Sequence, residues 1–251
     1  MSTSTIYLLI AVAIGSAIET VEATTIVLAS GITRGWRSTF EGAGLAVLLL
    51  VAITVIFGPA LVNYVPINVL RIVVGFLLLI FGLQWLYKNI LRTAGYRALH
   101  DEAVIYQKNV NNLAQAPGLM QGKRDSLAFV ISFKGVFLEG MEIVIMVISF
   151  GAPNGQLGLS ALAAGAAILV VATIGAFTAK PLAKIPEEWM KLGVGLLLSL
   201  FGTFWMGEGA GIAWPASDAF LLVILAVLSL VTFGLIAYLK RIKRMAPEVS
   251  A

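Results

Sequence analysis

Cysteine is absent from the 251 residues, which excludes disulfides, thiolate metal sites and cysteine nucleophiles together. The single histidine, His100, rules out a multi-histidine metal centre. Charge is scarce as well: only 12% of the residues are Asp, Glu, Lys or Arg, against roughly 25% in a soluble domain. No Gly-rich phosphate loop, nucleophile elbow or zincin helix is present, so neither an enzyme nor ATP drive by the chain itself is expected. In their place the sequence has apolar residues, 59% of the total, with a mean hydropathy of +0.96. A chain this apolar is expected in a membrane. Any metal site in it must be built from oxygen, with methionine sulfur the lesser option. The net charge of +4 comes from Lys and Arg in the loops and tail, and no nucleic-acid partner is implied.

A membrane-crossing helix needs about 20 apolar residues. Seven stretches qualify, near residues 6–30, 42–62, 68–91, 126–150, 158–180, 188–207 and 218–239. They lack the two-residue alternation of barrel strands, so an all-α membrane protein with seven transmembrane helices is expected. The first run is not preceded by Lys or Arg and is longer than a signal peptide's. Basic residues gather on one side: Arg34, Arg37, Lys88, Arg92, Arg97, Lys108, Lys123, Arg124, Lys180, Lys184 and the tail Lys240, Arg241, Lys243 and Arg244. The opposite loops (1–5, 62–68, 151–157, 208–217) carry none. This bias puts the N-terminus outside and the C-terminus in the cytoplasm, in a multi-pass protein of a prokaryotic plasma membrane, with anionic lipid at the basic tail.

An offset of 120 residues matches the two halves without a gap over much of their length: Gly15 with Gly135, Glu19 with Glu139, Glu22 with Glu142, Pro66 with Pro186, Gly75 with Gly195, Gly82 with Gly202 and Trp85 with Trp205. Three helices per half is an odd number, so the copies have inverted topology, as in transporters that bind their cargo near the midplane. The resulting organisation is a first repeat at 1–92, a cytoplasmic and partly helical linker at 93–125, a second repeat at 126–212, and a seventh helix with basic tail at 213–251. The paired glycines are expected to permit close helix packing. Trp85 and Trp205 read as interfacial aromatics, Arg71 and Lys191 as interface anchors, and Glu208 and Asp218 as solvated charges of the outer loops.

Glu19 and Glu22 share a helix face, as do Glu139 and Glu142, because residues three apart are neighbours on a helix. Each acidic group at the centre of a span costs about 2.5–3.5 kcal/mol, so four standing alone would cost roughly 10–14 kcal/mol. Protons, a basic partner or a bound cation would offset that, and carboxylate oxygens suit hard cations. Lys134 is placed to neutralise one carboxylate or to snorkel to the interface. Thr20 and Thr24 can add oxygens, and Met141 a soft ligand.

The string Leu138-Glu139-Gly140-Met141-Glu142 resembles the Arg-Glu-Gly-x-Glu signature of the high-affinity iron permeases, which work with an oxidase and carry the motif in helices one and four of seven. The motif arginine is Ile18 in the first copy and Leu138 in the second, and Thr20 replaces the first copy's glycine. The chain also resembles the manganese/calcium–proton exchangers, whose Glu-x-Gly-Asp-(Lys/Arg)-(Thr/Ser) motif Glu19, Glu22 and Thr24 match in spacing. Both resemblances imply a secondary transporter of a metal cation, iron first and manganese or calcium next, held at Glu19, Glu22, Glu139 and Glu142. No permanently bound cofactor is implied. Protons as counter-ion, a homo-oligomer, or a partner oxidase or periplasmic subunit are compatible. Two alternatives stay open: an amino-acid-type transporter, since a basic amino acid also needs carboxylates, and a non-transporting subunit of a larger complex.

Overall fold

The computed structural model describes residues 3–98, 102–116, 124–153, 155–178 and 187–245. His100, Lys123, Lys180, Lys184 and Pro186, which entered the readings above, lie outside the described residues. Among those described, all regular structure is helical: α1 Thr3–Arg34, α2 Trp36–Tyr64, α3 Ile67–Thr93, α4 Glu102–Gln115, α5 Ser126–Gly151, α6 Leu157–Thr178, α7 Glu187–Gly209 and α8 Phe220–Met245, with one 3₁₀ turn at Ser217–Ala219. Six of these are long and apolar enough to cross a membrane, namely α1, α2, α3, α6, α7 and α8. The expected fourth span, α5, is helical over its full length but carries Lys134, Glu139 and Glu142. The linker contributes α4.

The turn between α1 and α2 is shorter than the sequence suggests. The expected spans 6–30 and 42–62 leave eleven residues between them, yet only Gly35 breaks the helix. Its φ of 111° is open to glycine and strained for other residues. The Trp36 ring occupies the space a side chain at Gly31 would need, and it stacks on Phe40 at 5.3 Å.

The chain forms two compact units, each drawing on both sequence halves. One contains residues 1–65 and 101–185, hence α1, α2, α4, α5 and α6. Within it α1 and α5 run antiparallel: Thr5 meets Gln156 just past the end of α5, Ile26 fills the notch at Gly135, and Ser30 reaches the Ala128 carbonyl. Parallel to α5 runs α2, with Gly42 under the Phe129 carbonyl and Gly140 under Leu50. Gly175 of α6 lies against Thr24 of α1.

The other unit contains residues 66–100 and 186–251, hence α3, α7 and α8. Here α3 and α7 cross so closely that a Cβ on Gly75 would stand 2.8 Å from the Gly202 carbonyl, and one on Gly82 2.9 Å from that of Gly195. This is the close packing expected of the four glycines. Trp85 and Trp205 are 7% and 5% exposed, so they are core residues and not interfacial ones; the close crossing draws the ends of these helices together. Glu208 is likewise no solvated loop charge. It sits in the last turn of α7 and pairs with Arg71 at 3.5 Å, and Arg92 pairs with Glu188 at 3.5 Å at the opposite end. Lys191 lies over the Trp85 ring. Leu86, Leu192, Leu196 and Ile236 form the core that holds α8.

Candidate metal centre

Glu19 lies at the middle of α1 and is 2% exposed. Glu139 and Glu142 lie at the middle of α5 and are half-buried. The contacts Thr5–Gln156, Ile26–Gly135 and Ser30–Ala128 fix the antiparallel register. That register sets Glu19 level with Glu142 and Glu22 level with Glu139. One carboxylate oxygen from each of Glu19, Glu139 and Glu142 lies within 4.8 Å of the others. Oxygens bound on opposite sides of a magnesium- or calcium-like cation stand about 4–5 Å apart, a separation that the three do not exceed. Half-buried Glu22 is not part of this trio. Three residues along a helix turn about 300° and leave a pair some 60° apart, so one member can meet the partner helix squarely while the other stands to the side.

The supporting residues divide. Thr20 donates its hydroxyl to the Ser16 carbonyl at 2.6 Å. Thr20 and Thr24 both face a cavity of about 940 Å³ between α1, α2, α5 and α6, whose walls, including Leu50, Ile143 and Ile168, are almost entirely apolar. That cavity borders the trio without being lined by it. Lys134 is exposed. Met141 is half-buried, about 100° round the helix from Glu142.

Sequence reasoning missed a clasp at the basic end of the same helix pair. Arg34 Nε donates to Asp125 Oδ2 at 2.8 Å, and Arg34 Nη1 donates to the carbonyls of Leu113 and Ala116 at 3.0 and 3.1 Å. The two side chains are 1% and 7% exposed. Asp125 Oδ1 caps α5 by accepting from the amides of Leu127 and Ala128, and the Asp125 amide donates to Ser38 Oγ at 2.8 Å. Burial pushes the Asp125 carboxyl up, but the Ala128 amide, the Arg34 guanidinium and the Leu127 amide together hold it below its ordinary value. An Asp ahead of an apolar run is a readable helix start; the pairing with Arg34, 91 residues away, is not readable.

Residues 22–92 match a family described as divalent cation/proton antiporter GDT1. The match begins at Glu22 and runs through α2 to the end of α3, covering less than a third of the chain. No curated protein and no solved structure matches. Of the two resemblances drawn from the sequence, the match supports the cation–proton exchangers, which are transporters and not enzymes; the iron-permease resemblance gains nothing from it.

Proposed function

We propose that this chain is a multi-pass membrane antiporter that exchanges a divalent cation for protons at Glu19, Glu139 and Glu142, with Glu22 in an outer position. The observation that carries the proposal is the gathering of three carboxylates within 4.8 Å at the middle of two antiparallel helices. At that spacing two ionised carboxylates repel by about 3–4 kcal/mol at an effective dielectric of 20. That repulsion favours proton uptake when no cation is held, and an arriving dication competes with those protons. An exchange that leaves the cluster's net charge unchanged releases two protons for each dication bound. Manganese and calcium fit an all-oxygen site, and ferrous iron fits as a third cargo. Ferric iron is placed behind these, since the family match is to exchangers of divalent cations.

Support for seven spans in two inverted copies comes from α5, which is as long as its neighbours, and from the glycine crossings. The 120-residue offset turns the pair Gly75–Gly202 into Gly195–Gly82, and both pairs are in contact. The one-sided basic residues support a cytoplasmic position for the clasp end.

The test is transport in proteoliposomes containing this chain alone, with a pH dye and a divalent-ion dye inside. Manganese gradients should drive proton movement in the opposite direction. Glu19→Gln should stop both fluxes while leaving the melting temperature near wild type. Manganese, calcium and ferrous iron all failing to move protons through the wild-type chain would overturn the proposal.

A further inference from the structure

Hydroxyls on these helices have a default partner. Thr20, Thr25, Thr33, Thr39, Thr54 and Thr203 each donate to the carbonyl four residues back, as threonine does in apolar helices. Four serines depart from this pattern: Ser16, Ser132, Ser160 and Ser199 are fully buried with unpartnered Oγ atoms. A buried hydroxyl without a partner is destabilising, so each needs a reason. Two have a packing reason. Ser199 fills the space beside Gly82, and Ser160 Oγ stands 3.1 Å from where a Cβ on Gly151 would be.

Neither Ser16 nor Ser132 is among the nearest neighbours of a glycine in this way, and their positions relate to the carboxylates. Ser132 precedes Glu139 by seven residues, two turns back on nearly the same face. Ser16 precedes Glu19 by three residues, one turn back. Because α1 and α5 are antiparallel, these offsets run in opposite directions through the membrane. Ser132 lies about 10 Å from Glu139 toward the clasp end, and Ser16 about 4–5 Å from Glu19 toward the far end. Past each serine the seam between the helices is tied shut: by Arg34–Asp125 on the Ser132 side, and by Thr5–Gln156 at 3.1 Å on the Ser16 side.

We propose that Ser16 and Ser132 are positioning residues on the two access paths to the carboxylate cluster, offering an oxygen to a hydrated cation or to its water as the α1–α5 seam opens first at one end and then at the other. This rests on the antiporter reading. The free hydroxyl is then not a packing flaw: its partner is the passing ion's hydration shell, present only during transit.

The absence of cysteine makes a clean test. Ser16→Cys, Ser132→Cys and, as a buried control off the seam, Ser199→Cys each place one thiol in sealed vesicles of known orientation, treated with the small cationic reagent MTSET. Ser132→Cys should react from the side bearing Arg34 and Ser16→Cys from the opposite side, each at least tenfold faster than Ser199→Cys, and saturating manganese should slow both. Either thiol reacting no faster than Ser199→Cys overturns the path. A conservative pair extends the test: Ser16→Ala and Ser132→Ala should lower the manganese transport rate severalfold without changing its Kd, whereas unchanged rates would refute the role. Fast thiol labelling in a chain that moves no ion would sink the antiporter reading alone; transport with both thiols unreactive would sink the path alone.

Discussion

Cutting the clasp between α1 and α5 separates two contributions that Asp125 makes at once, a helix cap and a counter-charge. Asp125→Asn keeps an oxygen for the amides of Leu127 and Ala128, because Asn caps as well as Asp. It leaves the Arg34 guanidinium, 1% exposed, without its carboxylate. Removing one member of a buried pair costs about 3–5 kcal/mol; the carbonyls of Leu113 and Ala116 still accept from Arg34, so the lower end, about 3 kcal/mol, applies. Asp125→Ala also loses the cap, adding about 1 kcal/mol. For a chain of this size 1 kcal/mol shifts the melting temperature by about 2–4 °C, giving a fall of about 6–12 °C for Asn and about 8–16 °C for Ala. The double variant Arg34→Gln/Asp125→Asn removes the stranded charge and should recover most of the loss. Tryptophan fluorescence melts in detergent read all four proteins, with five tryptophans as reporters. A double variant as unstable as Asp125→Asn, or an Asn variant that melts with the wild type, would refute the buried-charge argument.

Three further outcomes follow from the same geometry. The Asp125 carboxyl is held below its ordinary value in the folded chain; its contribution is therefore complete at neutral pH and is lost as pH falls below about 4, so acid melts of the wild type should converge on those of Asp125→Asn. In calorimetry Glu19→Gln, Glu139→Gln and Glu142→Gln should each weaken manganese binding beyond a hundredfold, while Glu22→Gln should weaken it by about tenfold, the size of an outer-ligand effect; equal losses at all four positions would make the site a quartet. A Cβ on Gly82 would fall within 2.5 Å of the Ser199 amide nitrogen, whereas Gly44 has open space; Gly82→Ala should lower the melting temperature, and Gly44→Ala should raise it by the helix-propensity gain of about 1 kcal/mol.

The sequence made legible whatever depends on hydropathy and on helical spacing. The helix spans follow from apolar runs, and the carboxylates stood out because ionisable groups in such runs are rare. Misreadings came where a tertiary partner overrides a local signal. The expected spans stop at 30 and resume at 42, but Ser30, Ser38 and Thr39 hydrogen-bond to neighbouring elements, and both helices continue to Gly35. Trp85 and Trp205 end their spans, where aromatics ordinarily meet the interface; the glycine crossing buries them instead. Glu22 has the same spacing partner as Glu142, yet spacing alone gives a face and not which member of a pair meets the other helix.

On the proposed reading, the antiparallel pairing of α1 with α5, whose glutamate pairs lie 120 residues apart, explains how one motif used twice yields a site. On such a pair there is one level where a residue meets its copy, and only groups near that level are brought together. Glu19 and Glu22 straddle it, since the register sets them level with Glu142 and Glu139. Residues far from it meet non-equivalent partners and can diverge. Asp125 and Thr5 occupy the same position at the 120-residue offset, yet Asp125 makes a buried ion pair with Arg34 and Thr5 a neutral hydrogen bond with Gln156. Breaking a neutral hydrogen bond costs about 0.5–1.5 kcal/mol, against about 3–5 kcal/mol for stranding a buried charge. The carboxylate trio thus sits between ends of unequal strength, and the Thr5 end is the easier one to part.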